Sequence, residues 1–157
     1  MEKVIGLYGK GDSGKSRTLY LLAKLLIENG ALLLRSTENI DFFNDNPLRA
    51  SGTTCDFRAV FTLNDKIIGI TSKGDNDKEM ESNLQFLKEG AECDIVFSAT
   101  LSRGVTTNAL FSYAEDHSAV LIWVAKSYYA DNTTIKPTPS QFDMMNNLEA
   151  QFMFNLI

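Results

Sequence analysis

The chain has 157 residues, 44% hydrophobic and 22% charged, with a formal net charge of −5. That is the composition of one globular domain, long enough to bury a core. The acidic balance, with no basic stripe, excludes a general nucleic-acid binder, and no apolar run approaches membrane-spanning length, so no membrane partner is expected.

Residues 3–8 read as a buried parallel strand, apolar on both faces. Directly after them comes Gly9-Lys10-Gly11-Asp12-Ser13-Gly14-Lys15-Ser16, and directly after that a helical pattern over 17–29. Leu19, Leu22, Ala23 and Leu26 fall at helical spacing, and Gly30 suits the left-handed cap at the end. A strand, a glycine-rich turn ending in Lys-Ser and a helix together form a phosphate-binding arrangement. The glycines allow successive N–H groups to turn inward as an anion nest. The helix start adds its unpaired N–H groups and the positive end of its dipole.

Residues 31–34 are a second short apolar run, expected as the next parallel strand. Residues 36–55 are polar, carry Pro47 and Gly52, and show no sustained period, as in a functional or mobile loop. Phe42 and Phe43 are expected to anchor that loop on the core. Residues 56–63 and 66–72 form two extended runs joined by Asn64-Asp65, a hairpin signal. Phe57, Ala59 and Phe61 share one side of the first run, which places it antiparallel near a sheet edge.

A helix follows from about Asp77, with Asn76 and Glu79 spaced as a capping box, Met80, Leu84 and Leu87 on one face, and Gly90 at its end. Residues 94–99 are a buried strand. Thr106 or Thr107 is expected to cap a helix carrying Ala109, Leu110, Tyr113 and Ala114. Residues 119–125 are the last strand, ending in Lys126-Ser127. The final helix is expected to be capped by Ser140, with Phe142, Met145, Leu148, Phe152 and Leu156 as its apolar face.

Strands alternating with helices, plus one hairpin, predict a three-layer α/β/α sandwich on a mostly parallel sheet, as a single domain over 1–157. Ligands of such sheets sit beyond the carboxyl ends of the strands, which gathers Gly9, Ser72, Thr100 and Lys126 at one rim. Cys55 and Cys93 lack metal-ligand spacing and read as buried thiols. That, and a strand beginning almost at Met1 with no room for a signal peptide, predicts a cytoplasmic protein.

Through residues 9–16 and their strand–loop–helix setting, the chain resembles the P-loop NTPase superfamily. The resemblance implies that Gly9, Lys10, Gly11, Asp12, Ser13, Gly14, Lys15, Ser16 and Arg17 surround the phosphates of ATP or GTP. It implies that Lys15 reaches the outer phosphates and that the Ser16 hydroxyl coordinates Mg2+. An acid usually closes a second core strand in such hydrolases, but here residues 67–70 end in Thr71. Asp75 is the nearest acid, a candidate metal and catalytic residue, while the Thr71 and Ser72 hydroxyls are candidates to orient water or phosphate. Arg103, after the 94–99 strand, is a candidate to stabilise charge on the transferred phosphoryl group. Arg49 and Arg58 are poorer candidates for that role.

The hairpin and Thr53-Thr54 resemble the layout of small GTPases. No N-K-x-D motif follows the 94–99 strand, so ATP is favoured over GTP. Lys10 resembles the second lysine of the MinD, ParA and nitrogenase-iron-protein group, which crosses a dimer, although Asp12 departs from that pattern. A homodimer or protein partner therefore stays open, as do three functions: slow hydrolysis or switching, a small-molecule or nucleotide kinase, and a non-catalytic nucleotide-dependent interaction module.

Overall fold

A computed structural model describes residues 1–11, 13–45, 54–126 and 137–157. Asp12, Pro47, Arg49, Gly52, Thr53 and Ser127 lie outside the described residues. Along the chain run β1 (Lys3–Tyr8), α1 (Lys15–Glu28), β2 (Leu32–Ser36), α2 (Ile40–Asn44), β3 (Arg58–Leu63), β4 (Lys66–Thr71), α3 (Asp77–Lys88), β5 (Ile95–Thr100), α4 (Val105–Asp116), β6 (Val120–Ala125) and α5 (Pro139–Phe154). Among the described residues the strands form one mixed six-stranded sheet in the order β2-β3-β4-β5-β1-β6.

The parallel part is β4-β5-β1-β6, with Tyr8 opposite Thr100 on one side and Ala125 on the other. β3 runs antiparallel to β4 through a hairpin whose turn residues, Asn64 and Asp65, have φ of 50° and 62°. Asn and Asp tolerate that left-handed backbone, as the sequence signal required. β2 is not the parallel strand expected from residues 31–34. It pairs with β3, antiparallel, at the margin of the sheet, and exposes Leu32 and Leu34.

Side chains alternate between the two faces, so β1, β3 and β5 each feed two cores. Ile5, Leu7, Phe61, Ile68, Ile70 and Phe97 pack with α1, α2 and α5, through residues such as Leu22, Phe43, Ala150 and Met153. Val4, Val60 and Val96 pack with α3 and α4, through Met80, Leu87, Leu110 and Tyr113. Helices on both faces of a mixed sheet make an α/β fold compatible with the three-layer expectation. Phe43 is buried against Tyr20, Phe57 and Phe61 and fixes α2 to the core.

Three helix starts differ from expectation. α4 begins after Gly104, with φ 93°, instead of a threonine cap; Thr106 accepts from the Leu101 N–H and Thr107 donates to the Gly104 carbonyl. α3 has half of the expected box: Asn76 accepts from the Glu79 N–H, but the Glu79 carboxylate accepts from Asp75. α5 starts two residues earlier than expected, at a full capping box of Thr138 with Gln141 and with Pro139 in the first turn, so Ser140 is not the cap.

The buried face of α5 is also different. Asn146, Ala150 and Met153 are buried, whereas Leu148 and Phe152 are exposed at 59% and 54%. Polar Asn146 displaces an apolar face because it has partners inside, as the site shows.

Candidate phosphate site at the start of the first helix

α1 starts at Gly14, whose φ of 87° lies in the left-handed region that side chains resist. A Cβ there would also stand 2.7 Å from Asn146 Oδ1 and 2.8 Å from the Phe142 ring, so α5 packs directly on the turn. Gly9 is needed for close approach, since a Cβ there would meet Ser13 Oγ at 2.8 Å, while Gly11 faces open space. The first α1 hydrogen bond runs from Thr18 N–H to Gly14 C=O, and no side chain among the described residues caps the helix. The N–H groups of Lys15, Ser16 and Arg17 precede that bond, the disposition that attracts anions.

Lys15 is buried, and its ammonium donates to the carbonyls of Gly9 at 2.9 Å and Lys10 at 2.8 Å. Its nitrogen also lies 3.9 Å from Asp75 Oδ1, whose side chain is more than half exposed. Ser13 Oγ, within the same turn, is buried without a hydrogen-bond partner among the described residues. A buried hydroxyl left unpaired costs about 1–3 kcal/mol, so the turn holds donor capacity that an anion would satisfy. Lys10 and Gly11 are exposed, and the Arg17 guanidinium lies 5.4 Å from the Tyr20 ring centroid.

The Ser16 hydroxyl donates to Asp56 Oδ1 at 2.7 Å and lies 3.1 Å from the Ser72 carbonyl oxygen. Asp56 precedes β3. Because β3 is antiparallel to β4, its beginning lies at the rim where β4 ends, with Arg58 opposite Thr71. Ser72 locks the junction: its N–H donates to the Phe57 carbonyl and its hydroxyl accepts from the Phe57 N–H at 2.8 Å. The Thr71 hydroxyl donates to Ser98 Oγ at 2.8 Å in the buried sheet. Both hydroxyls thus have partners in the scaffold.

Behind the turn lies a buried polar cluster. The Lys126 ammonium, its side chain fully buried, donates to Thr18 Oγ1 at 2.9 Å and Asn146 Oδ1 at 2.6 Å, and lies 2.6 Å from Glu149 Oε2. Burial pushes the Lys126 ammonium below the usual lysine range; the Glu149 carboxylate works against that shift and the Lys15 charge adds to it. The cluster joins β6, α1 and α5 and sets which face of α5 points inward.

Arg103 is exposed in the turn between β5 and α4, apart from these contacts. Of the residues expected at the site, the fold brings Gly9, Lys10, Ser13, Gly14, Lys15, Ser16 and Asp75 together. Asp56, Asn146 and Glu149 join them without having been singled out by sequence. Only the antiparallel turn of β3 could have pointed to Asp56; nothing local points to the other two.

Among the described residues no group of three or more His, Cys, Asp or Glu side chains could hold a metal by itself. Magnesium bound with a nucleotide takes most of its oxygens from phosphates and water, so one hydroxyl and one carboxylate suit it. Among the described residues no helix is long and apolar enough to cross a membrane. No protein-family model, curated protein or solved structure matches the chain.

Proposed function

We propose that this is a P-loop nucleoside-triphosphate-binding protein that takes Mg-ATP and hydrolyses it slowly or uses it as a switch. The observation that carries the reading is the pair of neighbours Lys15 and Ser16 at the left-handed start of α1: an ammonium on the loop carbonyls and a hydroxyl on Asp56. Lys15 would exchange its carbonyl partners for phosphate oxygens, each such charge-assisted contact contributing roughly 1.5–3 kcal/mol.

Ser16 and Asp56 would hold Mg2+, with exposed Asp75 serving through water beside Lys15. When bound, the ion supplies neutralisation of phosphate charge. Asp56 would be the carboxylate nearest the ion, because the Ser16 hydroxyl already points at it. Slow turnover fits Thr71, where a strand-end acid would stand, being sealed onto Ser98.

The test is phosphate release from ATP and GTP by purified protein with magnesium. Release above that of Lys15→Ala, with ATP preferred, supports the reading. Equal release by the two proteins removes hydrolysis.

A further inference from the structure

A cavity of about 330 Å³ opens beside the Ser16–Asp56 contact, lined by Thr37, Glu38, Asp56, Phe57, Arg58 and Lys73. Its cationic wall is built by a residue that lies wholly inside the protein. Asn83, fully buried in α3, accepts from Arg58 Nε at 2.7 Å and donates through Nδ2 to the Lys73 carbonyl. One amide thereby fixes both the guanidinium at the start of β3 and the loop after β4.

Thr37 holds the backbone of Arg58 from the other side, its N–H donating to the Arg58 carbonyl and its hydroxyl accepting from the Arg58 N–H at 3.0 Å. The Lys73 ammonium is steadied by Glu79 at 2.8 Å. A guanidinium offers five N–H donors, of which Asn83 takes one. The same lining includes the carboxylates of Asp56 and exposed Glu38, and Phe57 as an apolar surface.

The volume lies at the small end of sites for small molecules. A pocket lined by prearranged cations and by carboxylates suits a ligand that carries both an anionic group and a hydrogen-bond donor. We propose that this pocket binds a small organic anion bearing a hydroxyl group, a phosphate monoester or hydroxy carboxylate, with its charge on Arg58 and Lys73 and its hydroxyl toward Asp56. That it is the second ligand of the protein, adjoining a bound nucleotide, rests on the reading above; the pocket itself does not.

The test is an NMR titration of the full chain with glycerol 3-phosphate, using methyl phosphate, glycerol and citrate as further probes. Saturable amide shifts at Thr37, Phe57, Arg58 and Lys73 are expected with glycerol 3-phosphate. Methyl phosphate and glycerol should bind more weakly, and Arg58→Ala should weaken the first ligand about ten- to a hundredfold. Citrate shifting the same residues marks the hydroxy carboxylate as the preferred source of the charge.

Shifts confined to residues 9–16, or shifts at the pocket untouched by Arg58→Ala, overturn the proposal. Should Arg58→Ala fail to fold, Glu38→Gln decides: loss of that exposed carboxylate tightens glycerol 3-phosphate binding several-fold if the proposal holds, and unchanged affinity overturns it. Repeating the titration with Lys15→Ala keeps the two readings apart. Pocket shifts that persist while wild-type protein fails to bind ATP remove the nucleotide and leave the pocket; ATP binding without pocket shifts does the reverse.

Discussion

The Ser16 hydroxyl meets the Asp56 carboxylate at 2.7 Å across 40 positions of sequence. The contact exists because β3 reverses direction and delivers its first residues to the rim where α1 begins. If the pair holds magnesium, Asp56→Asn and Ser16→Ala each weaken the ion in the presence of ADP by about 10–100-fold, while ADP binding without magnesium changes little. Titrating magnesium against a fluorescent ADP analogue checks this. An unchanged magnesium midpoint in both variants would remove Asp56 from the site.

Lys126 and Glu149 form a buried ion pair, and breaking it from one side leaves an uncompensated charge. Lys126→Met is expected to destabilise the fold by about 3–5 kcal/mol, and the double variant Lys126→Met/Glu149→Gln by less. Urea unfolding of the four proteins of the cycle measures both. The pH dependence has a definite sign. The folded Lys126 pKa lies below the unfolded value of 10.5, so the unfolded chain holds the proton more tightly between the two. Its burial therefore costs stability at neutral pH, and that cost is relieved as pH rises from the folded pKa toward 10.5. The rise should vanish in Lys126→Met.

Gly74 has no room for a side chain: a Cβ would stand 1.9 Å from the Ala99 carbonyl oxygen, in the backbone of β5. Gly74→Ala must shift the loop after β4 and should cost about 3 kcal/mol. Gly11→Ala meets nothing within 4 Å and should leave the melting temperature almost unchanged. Thermal melts of the two variants test the contrast, and equal losses would contradict it.

Much of the sheet was legible because buried parallel strands are short apolar runs and the Asn64-Asp65 turn is a local signal. The glycine turn before α1 was legible for the same reason: strand, loop and helix are contiguous. Other features were set by distant partners. Leu32 and Leu34 belong to a run read as a parallel strand yet face outward, because the margin position of β2 is decided by β3. In α5 the apolar period suggested Leu148 and Phe152, but Lys126 draws Asn146 and Glu149 inward and rotates the helix. Asp56 read as the first residue of an extended run, and only the antiparallel pairing of β3 with β4 carried it to Ser16.

The cysteines differ in surroundings. Cys93 is buried, and loss of solvation pushes its thiol up to about 11, whereas Cys55 is partly exposed. Thiolate is the reactive form, so iodoacetamide at neutral pH should modify Cys55 and spare Cys93 until the protein unfolds. Peptide mass mapping reads the outcome, and modification of Cys93 in folded protein would contradict it.

The most direct test of the nucleotide reading is calorimetric titration of the purified chain with Mg-ATP, beside Lys15→Ala. Saturable binding by the wild type, weakened about ten- to a hundredfold in the variant, is the expected result. No heat of binding in either protein, or equal affinity in both, would contradict the claim that the turn before α1 holds a polyphosphate.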